Sequence, residues 1–319
     1  MLGHLWSSCA TLGRMNKNIF FVGLILAASG LISPPIALLA GLLYGFTLTH
    51  PFHVESKRLA KFLLQASVVA LGFGMNLHEV VHAGRSGFLY TSVSISVAML
   101  LGLGLGYLIK VGKKSAFLIS AGTAICGGSA IAAVGPIADA NEEEMAIALG
   151  SVFILNSVAL FLFPVIGYVL HLSQEQFGLW SALAIHDTSS VVGATAKYGP
   201  TALAVGTTIK LARALWIVPL SFVTAVTLKS KARIHWPWFI LLFCVAALLN
   251  TLLPAKQAFG AINQLGKSGL TVTLFLIGTG LNRKTLQRVG LRPLLQGLTL
   301  WIIVGTSTLA LILLNWIHV

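Results

Sequence analysis

Charge is scarce in this sequence. Only 9% of its 319 residues are charged, and only eight are acidic, where soluble domains carry about 25% charged residues. Too little polar surface remains to cover a water-soluble fold. Its three cysteines, Cys9, Cys126 and Cys244, are isolated. With no CxxC and no Cys/His spacing, neither a metal centre nor a disulfide framework is indicated. Also missing are a catalytic carboxylate pair, a serine in a nucleophile elbow, HExxH and a phosphate-cradling P-loop. The pattern therefore speaks against an enzyme and against ATP-driven transport, and it calls for no cofactor. No polar stretch is long enough to form a second domain.

What the sequence does have is apolar length. Hydrophobic residues make up 56% and the mean hydropathy is +0.90, a bias that spans of about 20 apolar residues explain. The fold class is therefore all-α: a polytopic membrane protein, since helices satisfy their own backbone in lipid. Eleven apolar stretches are legible, at 19–31, 36–48, 62–77, 88–109, 116–137, 145–170, 177–194, 201–228, 237–253, 268–281 and 293–317. The first two are short and separated by Ser33-Pro34-Pro35, so they read as two tilted or half-buried helices or as one kinked unit. Residues 19–317 form a single transmembrane domain behind a segment, 1–18, expected in the cytoplasm. Met1 to Gly13 lacks a basic n-region, and Met15 opens a more ordinary start, so the first 14 residues are expected to be dispensable.

The net charge of +13 suggests nucleic acid at first sight. The bases lie instead in short loops, as the positive-inside effect predicts. With the N-terminus in the cytoplasm, fifteen lysines and arginines fall inside and four outside (Arg85, Lys197, Lys256, Lys267), while Lys210 and Arg213 stay within the eighth stretch. This predicts N-in and C-out, with the bilayer rather than nucleic acid as partner. The acidic run Asp139 to Glu144 falls outside and reads as a solvated loop.

Within the seventh stretch, Ile185-His186-Asp187-Thr188-Ser189-Ser190 is polar. A carboxylate that deep costs several kcal/mol unless paired or hydrated. Asp187 is therefore either part of a substrate or ion site or a structural group that caps a broken helix or neutralises a buried base. In the fifth stretch the adjacent Gly127 and Gly128 weaken a helix. A half-helix starting near Gly128 or Ser129 would present free N–H groups to an anion; the alternative is close helix packing through small residues. The centres of stretches five to eight bring Gly127, Gly128, Ser129, Asn156, His186, Asp187, Lys210 and Arg213 to one depth. Lys210 and Arg213, three apart, share a helix face and leave a positive surplus over Asp187. Arg213 suits bidentate capture of an oxyanion. Lys210 adds a point charge or snorkels to an interface. Asn156 is a ligand or an interhelical hydrogen bond. His186 is a proton carrier or a packing residue. Asp187 either holds Arg213 until substrate competes or carries a coupling proton.

A short internal likeness links Leu71-Gly72-Phe73-Gly74-Met75-Asn76 with Ile277-Gly278-Thr279-Gly280-Leu281-Asn282 at an offset of 206. The two spans are expected to run oppositely, as an inverted repeat requires, with chance as the competitor. A weaker echo joins Gly127-Gly128-Ser129-Ala130-Ile131 to Thr188-Ser189-Ser190-Val191-Val192, in spans expected to run the same way and so not an inverted pair.

The stretches Thr123 to Pro136 and Ala184 to Gly193 resemble the YeiH-like family of bacterial inner-membrane proteins, which carries a sulfate-exporter label. The resemblance implies membership of the cation/proton antiporter and anion transporter superfamily, with inverted five-helix repeats and crossed, broken helices at the midplane. That would pair the fifth span with the tenth, whereas the offset of 206 pairs the third with the tenth. The expectation is a secondary transporter of a small anion, sulfate or a sulfonate, in the bacterial inner membrane. Alternating access would turn about Gly127, Gly128, Ser129, Asn156, Thr188, Ser189, Ser190, Lys210 and Arg213, with H+ or Na+ coupled through His186 and Asp187. Self-association is left open. The rivals are a cation/proton antiporter with Asp187 as ion ligand, and a non-transporting scaffold, which a closed, dry centre would favour.

Overall fold

The computed structural model describes residues 16–48, 52–75, 77–229, 238–280 and 289–317. All eleven apolar stretches are helical within them. The helices are α1 (Asn16–Ala28), α2 (Pro34–Thr47), α3 (His53–Gly72), α4 (Leu77–Leu108), α5 (Lys113–Ala124), α6 (Gly128–Val134), α7 (Glu142–Val169), α8 (Gln174–Ala184), α9 (Thr188–Tyr198), α10 (Pro200–Ala214), α11 (Ile217–Thr227), α12 (Trp238–Leu252), α13 (Lys256–Gly280) and α14 (Leu291–Leu313). Among the described residues four helical segments are long and apolar enough to cross a membrane: Tyr90–Leu108, Glu143–Val169, Pro200–Thr227 and Leu291–Leu313.

The breaks fall where the polar residues predict them, but the chain does something the composition does not announce. At two breaks it doubles back. Lys114, at the start of α5, forms an ion pair with Asp139, just beyond α6, at 3.2 Å. A straight run of 25 residues would hold them about 38 Å apart. Likewise Tyr198, at the end of α9, stacks on Phe177 near the start of α8 with centroids 3.8 Å apart, and its hydroxyl donates to the Leu172 carbonyl at 2.7 Å. So α5/α6 and α8/α9 are helical hairpins, with arms of about 10–18 Å that reach only part-way through a ~30 Å hydrocarbon layer.

The hairpins enter from opposite ends of α7. This helix has 28 residues, about 42 Å. Its first turn adjoins the base of α5/α6, where Met145 packs on Gly135. Its last turns adjoin the base of α8/α9, where Tyr168 stacks on Tyr198 at 4.6 Å. Both α7 and α8 open with a capping box, Asn141 with Glu144 and Ser173 with Gln176, which satisfies the first free amides. The acidic run expected to be a solvated outside loop is thus partly the first turn of α7, where carboxylates favour the positive helix end. It lies on the face that carries Lys114, because the fifth stretch returns to that face.

The remaining elements brace this unit. The stretch 201–228 is kinked between α10 and α11, because Pro219 has no N–H to offer the Leu215 carbonyl, and Val218 bonds it instead in a tighter turn. The short stretches 19–31 and 36–48 are two antiparallel helices, with the Tyr44 hydroxyl donating to the Asn16 carbonyl at 3.1 Å. The third and tenth stretches start earlier than their apolar parts, at His53 and Lys256, and α3 and α13 pack antiparallel. Asn263 Nδ2 donates to the Leu71 carbonyl at 3.1 Å, and a Cβ on Gly266 would stand 3.0 Å from the Ser67 carbonyl oxygen. The ends of the offset-206 likeness, Asn76 and residues 281–282, lie outside the described residues, as do the first 15 residues. Against α8, Trp180 stacks on Phe163 of α7 at 4.2 Å and donates from Nε1 to the Gly305 carbonyl of α14 at 2.9 Å. That fixes one arm of the second hairpin between two long helices.

Candidate functional site

The tips of the two hairpins meet. A Cβ added to Gly127 would stand 3.3 Å from both Cα and Cβ of Asp187. Gly127 sits at φ 68°, ψ −127°, a conformation that glycine adopts without cost. On the other tip Ile185 and Asp187 are extended, at φ −85°, ψ 128° and φ −98°, ψ 142°. The contact lies beside Asn156, near the middle of α7, whose Oδ1 accepts from the His186 amide at 3.1 Å and from the Asp187 amide at 3.3 Å.

Each hairpin tip exposes one helix C-terminus and one helix N-terminus in the protein's interior. The C-terminal carbonyls are taken by α10. Arg213 Nε donates to the Ala124 carbonyl of α5 at 2.6 Å, and its Nη1 to the Leu183 carbonyl of α8 at 2.7 Å. Lys210 Nζ donates to the Ile185 carbonyl at 2.7 Å and to the Ala182 carbonyl at 3.4 Å. Cations are favoured there because the last carbonyls of a helix carry its negative end. The N-terminus of α9 is capped by Asp187, whose Oδ2 accepts from the Ser189 amide at 3.0 Å, the Ser190 amide at 3.3 Å and the Ser189 hydroxyl. The N-terminus of α6 has no side-chain cap.

These bonds change several expectations. Asp187 does not hold Arg213: among the described residues the one ion pair within 4.0 Å is Lys114–Asp139. Its carboxylate is a helix cap, and Arg213 serves two backbones. Lys210 does not snorkel, being fully buried. Asn156 is the interhelical hydrogen bond of its two readings, with one end to spare. Gly128 packs on Phe153, where a Cβ would stand 3.0 Å from the ring. Ser129 is exposed and turned out of the centre, because α6 places it on the face away from α7. Thr188, Ser189 and Ser190 are buried in the first turn of α9. The helices expected to cross as broken spans instead meet tip to tip.

Around the tips several buried polar atoms have no hydrogen-bond partner within the protein: Arg213 Nη2, Asn156 Nδ2, both ring nitrogens of His186, and the hydroxyls of Thr123, Ser181 and Thr207. Most buried polar groups in proteins are paired, so this is an unusual concentration. Arg213 and Lys210 are 0% exposed, His186 1% and Asp187 7%, so the centre is closed to both faces. Sequence reasoning missed Thr123 and the buried Cys126, although both lie in the stretch it singled out. It also missed the carbonyls, which no side-chain pattern announces.

The relatives of this chain are membrane proteins. The chain is 49% identical over 290 residues to a UPF0324 membrane protein of Bacteroides thetaiotaomicron, covering 90% of this chain and 88% of that one. It is 46% identical over 304 residues to the UPF0324 membrane protein GSU2818 of Geobacter sulfurreducens, covering 95% and 98%. It is 46% identical over 313 residues to the UPF0324 membrane protein Bd1437 of Bdellovibrio bacteriovorus, covering 96% of each. No solved structure matches the chain. The family model described as Conserved hypothetical protein 698 matches residues 18–297, and with relatives this similar over nearly their whole length the chain belongs to that YeiH-like family of membrane proteins.

Proposed function

We propose that this protein is a secondary transporter, not an enzyme, for a small inorganic or organic anion, with sulfate the first to test. The observation that carries the reading is the pair of fully buried cations on α10, Lys210 and Arg213, set among the unpartnered donors Arg213 Nη2, Asn156 Nδ2 and the His186 ring. In a buried centre such donors are costly unless something accepts from them. An oxyanion offers several acceptors at once and meets a guanidinium in fixed geometry.

Two hairpins based on opposite faces supply the moving parts. Withdrawing one tip from the other opens the centre to one face while the second stays in place, which is alternating access about a fixed point. The tips also read alike at an offset of 60: Ala124-Ile125 and Ser129 match Ala184-Ile185 and Ser189. Opposed entry and matched tips support an inverted repeat centred on the hairpins, paired differently from the offset of 206. The bias of lysine and arginine supports a cytoplasmic face carrying Lys114, with N-terminus in and C-terminus out, and a bacterial inner membrane is the location this reading takes. His186 and Asp187 are the groups for a coupled ion.

A second reading has one observation in its favour: the closed centre suits a non-transporting scaffold. A cation/proton antiporter is disfavoured by the two buried cations of α10 and by the engagement of the Asp187 Oδ2 as a cap. Labelled sulfate counterflow in proteoliposomes tests the proposal, with wild type beside Asn156→Asp. That variant keeps an acceptor for the His186 and Asp187 amides but loses the spare donor and adds a negative charge. Accumulation in wild type that falls at least about tenfold in the folded variant supports the site. Absence of flux with sulfate and a panel of other anions removes anion transport and leaves the scaffold.

A further inference from the structure

Charge balance in the closed centre gives a more specific expectation, which rests on the anion reading above. The titratable groups there are Cys126 on the tip of α5/α6, His186 and Asp187 on the tip of α8/α9, and Lys210 and Arg213 on α10. The facing middle of α7 offers only the neutral Asn156. The groups act on one another electrostatically: Lys210 and Arg213 on His186, Lys210 on Asp187, and Lys210, Asp187 and Arg213 on Cys126. Asp187 Oδ2 accepts from two amides and a hydroxyl, the environment of an ionised carboxylate. Lys210 and Arg213 each donate to helix-end carbonyls, the environment of cations. The helix ends themselves cancel, with two C-termini and two N-termini at the contact. What remains is two positive side chains against one negative, a surplus of one.

We infer that the centre accepts a monovalent anion as it stands, and accepts a divalent anion only together with one proton, taken by His186. A monovalent anion brings the sum to zero. A divalent one leaves an uncompensated negative charge in a buried centre, which is expensive. His186 is placed to cancel it. Both its ring nitrogens are buried without partners, its backbone is anchored by Asn156 Oδ1, and it follows the sequence position of the extended Ile185 at the very tip. The proton comes from bulk water through whichever face is open; it adds to a ring nitrogen, no other bond changes, and the resulting N–H donates to the anion. Asp187 stays ionised as the cap of α9. A divalent anion would therefore travel with a proton, and a monovalent one without.

The test is proton uptake on binding, measured with the full-length protein in detergent by calorimetry in buffers of different protonation enthalpy, with sodium sulfate and sodium nitrate as probes. The expected result is close to one proton taken up per sulfate bound and close to none per nitrate. In His186→Asn, checked for folding by size-exclusion profile and melting temperature, sulfate-linked uptake disappears and sulfate affinity drops more than about tenfold. In Asp187→Asn the surplus becomes two, and sulfate binds with no proton. Equal uptake for the two anions, or uptake that survives His186→Asn, overturns the inference while leaving the anion site standing. Failure of both anions to bind overturns the site reading itself, and this inference with it.

Discussion

Gly127 and Asp187 face each other across the tips of two hairpins that enter from opposite ends of α7, so close that a Cβ on Gly127 would stand 3.3 Å from the Cα and Cβ of Asp187. Gly127 also holds a positive φ of 68°. Gly127→Ala is expected to cost about 1–3 kcal/mol, most of it backbone strain. A lower melting temperature in detergent, with transport reduced more than expression, would bear this out; an unchanged melt would not.

Arg213→Ala is expected to fail as a folded protein rather than as a binding site. The change leaves the Ala124 and Leu183 carbonyls without donors, and each lost bond to a charged partner is worth about 1.5–3 kcal/mol. Loss of the monodisperse peak on size exclusion is the expected outcome. A well-folded Arg213→Ala would show that the two carbonyls are satisfied some other way.

Asn156→Leu and Asn156→Asp should part company. The leucine variant strips the acceptor from the His186 and Asp187 amides and is expected to lose about 1–3 kcal/mol for each amide left unpaired. The aspartate variant keeps an acceptor and should melt within a few degrees of wild type while losing anion transport. Equal melting of the two would argue against the role of Oδ1.

Asp187→Asn should fold, because asparagine caps a helix about as well as aspartate. It removes the negative charge beside Lys210, so anion is expected to bind more tightly and leave more slowly. Slower counterflow at lower half-saturation checks this; a rise in both would contradict it.

The hairpin topology itself can be tested without any substrate. In a background with Cys9, Cys126 and Cys244 replaced by serine, Lys114→Cys with Asp139→Cys should cross-link under mild oxidation. Both should react with an impermeant thiol reagent from the same membrane face, and Lys197→Cys from the other. Labelling of Lys114→Cys and Asp139→Cys from opposite faces would restore a through-going fifth span.

That last test addresses what the sequence could not say. The breaks were legible: Gly127-Gly128 and His186-Asp187 interrupt apolar runs, and helices do break there. The doubling back was not, because a stretch that returns has the same composition as one that crosses. Nor could the loop charges reveal it. Two fold-backs cancel, so only the connections near 139–144 and 171–176 change faces, and neither contains a lysine or arginine. The count of fifteen against four therefore survives a different path of the chain. Of the centre, the side chains Asn156, His186, Asp187, Lys210 and Arg213 were readable from depth alone. Their partners were not, since most are backbone carbonyls and amides, which every sequence has and none displays.

The hairpin tips also set an order of assembly. The carbonyls of Ala182, Leu183 and Ile185 have no side-chain donors until Lys210 and Arg213 have been synthesised, and the Ala124 carbonyl waits for Arg213, 89 positions later. Short polar-tipped arms cannot rest stably in lipid with those groups bare. During insertion the two hairpins are therefore expected to settle only once α10 is in place to supply those donors. The residues proposed to handle the anion would then be the same ones that finish building the protein.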